Sequence, residues 1–245
     1  MVERRPLFHA FCHLILIVGI LSVAFPVWIS VVATTHQNTE FATGSPLWFG
    51  QEGIEVFKTL FSSAGTTQNS AITINGMLLN SLVMALVITI GKLVISIASA
   101  YAVVFFRFPG RMLAFWTIFF TLMLPVEVRI MPTFEVVTNL NMLNSYAGLT
   151  IPLIASATAT FLFRQFFLTI TPELIEAAKI DGAGPIKFFF TILLPLSRTN
   201  IAALFVITFI YGWNQYLWPM LITTDTQYYT IVMGIKQMVA VSDGV

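Results

Sequence analysis

Apolar residues in this chain come in long unbroken blocks, with neither the two-residue period of an exposed strand nor the narrow stripe of a soluble helix. The first block covers about 10–33, with Pro26 placed to kink or interrupt it. A helix needs about 20 apolar residues to cross the hydrocarbon core of a bilayer, so this block predicts a span. Further blocks at about 77–106, 112–131, 146–168 and 201–222 bring the expected number of spans to five. The third is broken at Pro125 and should stop at Pro132, and the fourth has Pro152 near its start and Arg164 near its end. The fifth closes in YGWNQYLWP, an aromatic density that suits a membrane interface. Within the second block, Ser96 with Ala100 and Ala98 with Ala102 stand four apart, a spacing of small residues that lets helices approach closely in lipid.

The polar stretches between the blocks are unequal. Residues 34–76 form the one long polar segment, within which Ile54, Phe57, Leu60 and Phe61 are spaced for a short amphipathic helix. Residues 133–145 predict a mixed connection near the membrane surface. Residues 223–245 are only moderately apolar and carry Asp225, Lys236 and Asp243, so no span is expected there.

One stretch departs from the block pattern. Residues 171–195, TPELIEAAKIDGAGPIKFFFTILLP, open with Thr171 as N-cap, Pro172 at the first helical position and Glu173 and Glu176 near the positive end of the dipole. Leu174, Ala177, Ala178 and Asp181 share one face, and Gly182 provides a left-handed helix stop. Gly184-Pro185 starts a second helix with Ile186, Phe189, Phe190 and Leu193 on one side, closed by Pro195. A helix–glycine turn–helix set between two spans is a docking element. Taken alone, it fits an amphipathic hairpin lying in the membrane interface better.

Composition narrows the class. Of 245 residues 57% are hydrophobic and 9% charged, with mean hydropathy +0.87. Soluble domains carry about a quarter charged residues, so an all-α integral membrane protein is the class that fits. With neither repeats nor low-complexity tracts, 1–245 is expected to form a single membrane domain. A formal net charge of +1 with no basic cluster gives no reason to expect a nucleic-acid partner. The lone Cys12 allows no internal disulfide, and His9, His13 and His36 stand apart from carboxylates, so no metal site is expected. The apolar block after MVERR is too long for a signal peptide and has no small-residue cleavage site, so it is expected to be a retained first span.

Basic residues set the orientation. Arg4, Arg5, Arg107, Arg111, Arg164, Lys179, Lys187 and Arg198 fall on one side of the five-span topology, and Lys58, Arg129 and Lys236 on or near the other. The positive-inside rule therefore puts the N-terminus, the Arg107–Arg111 turn and the 171–195 hairpin in the cytoplasm.

Nothing predicts catalysis. Ile90-Gly91-Lys92-Leu93 looks like the end of a phosphate-binding loop, but Leu86 and Leu93 fail its pattern and the lysine lies inside a span. Lys92 is nevertheless informative, because an ammonium at mid-depth costs at least about 2.5 kcal/mol unless paired or hydrated. Either it lines a watered path for an anionic solute, or it pairs with a carboxylate such as Glu127 or one on a partner subunit. Glu127 and Arg129 follow the Pro125 break, two residues apart and so not aligned on a helix. They serve as surface anchors, or Arg129 joins the path. Asn214 and Gln215 sit among Tyr211, Trp213, Tyr216 and Trp218. That combination suits polyol recognition, but an interhelical hydrogen bond beside an aromatic belt is the favoured reading.

Glu176-Ala177-Ala178, Asp181-Gly182 and Ile192-x-Leu194-Pro195 together resemble the EAA motif of membrane permeases in ATP-binding-cassette importers. The resemblance implies a type I importer transmembrane domain whose 171–195 hairpin inserts into a groove on a cytoplasmic ATPase, with Ala177 and Ala178 permitting close approach. It further implies a second permease forming a heterodimer, a pair of ATPase subunits that bind ATP and magnesium, a periplasmic or extracellular solute-binding protein, and a bacterial inner membrane. No cofactor would belong to this chain. Asn80-Ser81, Ala100-Tyr101-Ala102, Pro125, Pro132, the run from Phe163 to Phe167, Trp213-Asn214-Gln215 and Trp218-Pro219 resemble the MalG-like branch. MLPVEVRIMPT, ATATFLFRQFF and FVITFIYGWNQYLWP resemble its sn-glycerol-3-phosphate permeases. The expected solute is that compound or a related phosphorylated polyol, with a sugar as the alternative. The resemblance also implies one more span after the external segment near Thr223, whereas the sequence ends at Val245. A non-transporting scaffold or regulatory fragment therefore stands as a rival expectation.

Overall fold

The computed structural model describes residues 6–36, 46–61, 73–121 and 124–242, which are helical or irregular and contain no strand. By contacts the chain falls into two compact units, 1–66 and 67–245.

In the first unit α1 (Pro6–Ala33) runs without a break through Pro26. Ser30 Oγ donates to the Pro26 carbonyl at 2.8 Å, keeping that turn bonded. The helix is apolar and exposed almost all round, as suits a lipid-facing span. Thr35 shapes the chain beyond it. Its carbonyl accepts from the Glu52 amide at 3.1 Å and its Oγ1 from the Gly50 amide at 2.8 Å. Glycine is required at 50, since a Cβ there would lie 2.3 Å from the Thr35 oxygen. α2 (Gly53–Phe61) is the amphipathic helix that the spacing predicts, with a Lys58–Glu55 ion pair of 3.2 Å on its polar side.

The spine of the second unit is α3 (Ile74–Phe105), capped by Thr73, whose Oγ1 accepts from the Gly76 amide. Met77, Ser81, Met84, Ile88, Lys92, Ser96, Ala100 and Val103 are buried along it at three- and four-residue steps, which makes one continuous stripe. Of the two small-residue rows, Ser96 and Ala100 lie on that stripe, and Ser96 Oγ donates to the Ser156 carbonyl at 3.3 Å. Ala98 faces outward. Against the stripe pack α7 (Ala157–Phe167) and α10 (Arg198–Trp213). Close approach depends on glycine here: a Cβ on Gly212 would come within 3.0 Å of the Ala85 backbone.

Among the described residues α1 and α3 are long and apolar enough to cross a membrane, and two bent helix pairs bring that number to four if each pair is one span. Of the five expected spans, the third is the one that no long apolar helix or bent pair among the described residues matches. In place of the third, α4 (Arg111–Phe120) is followed by α5 (Val126–Asn139). Gly110, at φ +79°, turns the basic Arg107–Arg111 corner into α4. Pro132 does not stop α5 but lies within it. A proline removes one hydrogen bond, and Thr133 Oγ1 reinforces that turn by donating to the Arg129 carbonyl at 2.7 Å. Much of the predicted 133–145 connection is thus helix.

The fourth block is α6 (Tyr146–Thr150), a 3-10 turn (Ile151–Leu153) and α7, with a 45° bend after Pro152. The fifth breaks after Trp213, and α11 (Leu217–Ile222) is separate. Beyond it, where no span is expected, α12 (Ile231–Ser242) lies on α3, its Ile231 amide donating to Ser81 Oγ at 2.8 Å. Asn80 ties the same region together. Its Nδ2 donates to the carbonyls of Gln227 at 2.7 Å and Tyr229 at 3.0 Å, and its Oδ1 accepts from the Tyr146 hydroxyl.

Two apolar clusters mark the two ends of this unit. Met84, Ile88, Val137, Leu149, Trp218 and Ile222 fill one. Leu93, Ile97, Phe163, Phe167, Phe188 and Leu193 fill the other, where the hairpin begins.

Candidate functional site

The hairpin consists of α8 (Pro172–Ile180) and α9 (Pro185–Leu196). Thr171 has the extended backbone of an N-cap but its side chain makes no capping bond, so the start rests on Pro172 and Glu173. The stop is as predicted. Gly182 takes φ +71°, its amide donates to the Lys179 carbonyl at 3.0 Å, and the Ala183 amide donates to the Ala178 carbonyl at 2.9 Å. That bond pair is a Schellman motif, which satisfies carbonyls otherwise orphaned at the helix end.

The buried faces are not those the spacing predicts. On α8 Ala178 is buried and Ile175 half-buried, while Leu174, Glu176, Ala177 and Asp181 are exposed. On α9 Phe188 and Leu193 are buried, whereas Ile186 is 76% exposed and Phe190 also faces out. The cause is a π-helical turn over Phe189–Leu193, closed by the Leu194 amide donating to the Phe189 carbonyl. Its wider turn carries Phe188 and Leu193, five apart, to one side. The same turn lets Pro195 continue the helix where the sequence predicts a stop, because the local widening absorbs the proline's missing donor and ring. The chain then bends by 71° into α10 at Ser197, whose Oγ donates to the Leu193 carbonyl at 2.6 Å.

The root of the hairpin is held firmly. The Tyr101 hydroxyl donates to the Pro185 carbonyl at 2.8 Å, and its ring lies 4.9 Å from that of Phe189. Phe105 bridges Phe188 at 5.5 Å and Phe167 at 5.9 Å. Of the motif residues, Ala178, Ile192, Leu194 and Pro195 thus belong to the packed root, while Glu176, Ala177, Asp181 and Gly182 face outward at the tip. A stiff root beneath an exposed tip can transmit a push on the tip to α3, α7 and α10. Tyr101 and Phe188 are not singled out by sequence spacing. The available signal was a tyrosine between two alanines near the basic end of a span.

The expected path residues do not form one pocket. Lys92 is buried on α3, with Nζ 3.7 Å from the centroid of the Tyr211 ring on α10. Arg129 is exposed on α5. The side chain of Glu127 lies outside the described residues. Asn214 ends α10, its amide donating to the Ile210 carbonyl at 3.0 Å, and Gln215 Nε2 donates to the Tyr211 carbonyl at 3.2 Å. Trp218 is buried in the far cluster, with Nε1 donating to the Gly148 carbonyl at 3.1 Å.

Known proteins share this arrangement. The family described as binding-protein-dependent transport system inner membrane component matches residues 92–242. The sn-glycerol-3-phosphate transport system permease protein UgpE of Pectobacterium atrosepticum is 57% identical over 251 residues, covering 100% of this chain and 86% of that protein. UgpE of Yersinia pestis is 55% identical over 249 residues, with 99% and 86% covered, and UgpE of Salmonella typhi is 57% identical over 245 residues, with 100% and 86% covered. The crystal structure of a bacterial ABC transporter involved in the import of the acidic polysaccharide alginate covers 99% of this chain and 83% of its own at TM-score 0.78. At 18% identity it shares the fold.

Proposed function

The chain belongs to the binding-protein-dependent transport system inner membrane components, and on that premise we propose that it is the permease subunit of an ATP-driven importer for sn-glycerol 3-phosphate or a closely related phosphorylated polyol. It is a transport subunit and not an enzyme. The observation that carries the solute is the 57% identity, running over the whole of this chain, to a permease named for sn-glycerol 3-phosphate. ATP would be bound and hydrolysed, with magnesium, by a pair of partner ATPases that receive the hairpin tip. A second permease would complete the path as a heterodimer, and an external binding protein would deliver the solute. The packed root supports this division of labour, since closure of the ATPases would tilt α8 and α9 as one body and carry α10 with them.

The test is uptake. The gene, co-expressed with those for its partner subunits and binding protein in cells lacking their own phosphate-ester import, should support ATP-dependent accumulation of labelled sn-glycerol 3-phosphate. Accumulation of a neutral disaccharide alone would replace the phosphorylated solute with a sugar.

The orientation is part of the same proposal. Reporter fusions after Arg111 and Lys187 should report a cytoplasmic position and one after Thr224 an external position. A cytoplasmic signal at Thr224 would mean that the crossings are assigned wrongly.

A further inference from the structure

Lys92 sits about midway along α3, about 20–27 Å from its ends at about 1.5 Å per residue. Its side chain is only 6% exposed. Among the described side chains no carboxylate lies within ion-pair distance of it. Instead Nζ faces the Tyr211 ring at 3.7 Å. One turn before it on the same stripe, Thr89 is wholly buried and its Oγ1 has no partner. Thr150, Thr160 and Thr208 by contrast each return the hydroxyl to the carbonyl four residues earlier, whereas Thr230 Oγ1 is, like that of Thr89, buried without a partner. A buried ammonium one turn from an unsatisfied hydroxyl makes a place that lacks an anion with several acceptor oxygens.

Tyr211 is itself 37% exposed, so its ring stands between Lys92 and the open side of α10. α10 is the continuation of the hairpin through the Ser197 bend. Gly212, the next residue, rests on the Ala85 backbone. A tilt of α10 about that contact moves the ring relative to Lys92.

We propose that Lys92 is an anion-binding group for the phosphate of the transported solute, and that Tyr211 is its movable cover, carried by α10 when the hairpin moves. This rests on the reading that the solute is phosphorylated. Phosphate oxygens would take the place of the ring at Nζ and accept from Thr89 Oγ1, while exposed Arg129 attracts the anion on its approach. The ring also provides for release. It can return to the ammonium when the solute leaves, so the site need not hold phosphate tightly, and a transport site must bind weakly enough to empty.

The test uses the full complex in proteoliposomes, in a background where Cys12→Ser and the partner subunits' cysteines have been replaced. The wild-type residue at 92 is compared with Lys92→Met, Lys92→Cys and Tyr211→Phe. Lys92→Met should assemble but take up sn-glycerol 3-phosphate about tenfold more slowly or worse. Lys92→Cys should be equally slow. Methanethiosulfonate-ethylammonium, which restores a cation, should recover its uptake to within about twofold, and the neutral methyl reagent should not. Tyr211→Phe keeps the ring and should slow uptake less than Lys92→Met does. Normal uptake by Lys92→Met, equal rescue by the neutral reagent, or no reaction of Lys92→Cys during turnover would each overturn the inference. Failure of both Lys92 variants to assemble would do the same, making the lysine a structural group that pairs with Glu127 or a partner carboxylate. A wild-type complex that takes up only a neutral solute would instead sink the substrate reading, and this inference with it.

Discussion

Gly182→Val should uncouple the transporter without unfolding it. The glycine holds φ +71°, and a Cβ there would meet no atom within 4 Å, so the penalty is conformational and not steric. A left-handed backbone costs an ordinary L-residue about 1–2 kcal/mol, and a β-branched one is a poorer fit still. The hairpin can relieve that strain by giving up the Schellman pair formed by Gly182 and Ala183, which rotates Asp181–Gly184 and misplaces the tip. The root, locked by Tyr101, Phe105 and Phe188, lies elsewhere and should hold. Membrane insertion and subunit yield should therefore be normal, while uptake and ATPase association fall about tenfold or more, the scale that about 1.4 kcal/mol sets. Gly182→Asn is the control, because asparagine tolerates the left-handed region, as Asn141 (φ +54°) and Asn144 (φ +49°) already do here. It should retain most uptake. If valine transports as well as glycine, the tip is not the coupling surface. Glu176→Lys, an exposed charge reversal on the same tip, should weaken ATPase association in the same assay.

The parts of this fold that were legible in the sequence are those where one residue type dictates one local geometry. Gly182 could be read because few residues other than glycine end a helix left-handed, and α1 and α3 because only a membrane accommodates such long apolar runs. The 3.6-residue period failed where backbone geometry departs from it. On α9 the π turn moved burial from Ile186 and Phe190 to Phe188, and nothing in FFFTILLP marks that change except Pro195, which reads as a stop. Pro132 misled for the opposite reason: losing one donor was not enough to end a helix. The break after Trp213 was hidden because apolar composition continues across it. The pairing of Lys92 with Tyr211 was invisible for a different reason. The two residues are far apart in sequence and meet only because α3 and α10 pack, and they do so at a depth fixed partly by Gly212 against Ala85. What the sequence offered there was an unexplained cost, a cation at mid-depth, and the structure supplies its neighbour.

Phe188 and Ile186 lie two residues apart in one short helix, yet they should fail in opposite ways. Phe188 is 6% exposed and fills the cluster that joins α3, α7 and α9, with its ring 5.5 Å from that of Phe105. Truncating a buried phenylalanine removes its transfer energy and leaves a cavity, together about 3–5 kcal/mol. Phe188→Ala should therefore lower the melting temperature of the detergent-solubilised subunit and reduce its yield in membranes before any question of coupling arises. Ile186 is 76% exposed on the hairpin, so Ile186→Ala opens no cavity and should leave melting and yield unchanged. If the hairpin docks on the ATPases, this apolar surface belongs to the contact, and the variant should therefore lose ATPase association and uptake while remaining folded. The two measurements must separate. Thermal unfolding should report Phe188 and not Ile186, and ATPase capture by the purified complex should fall for Ile186→Ala at normal subunit yield. If Ile186→Ala binds the ATPases normally, the exposed face of α9 is not part of the interface, and coupling would rest on α8 and the glycine turn alone.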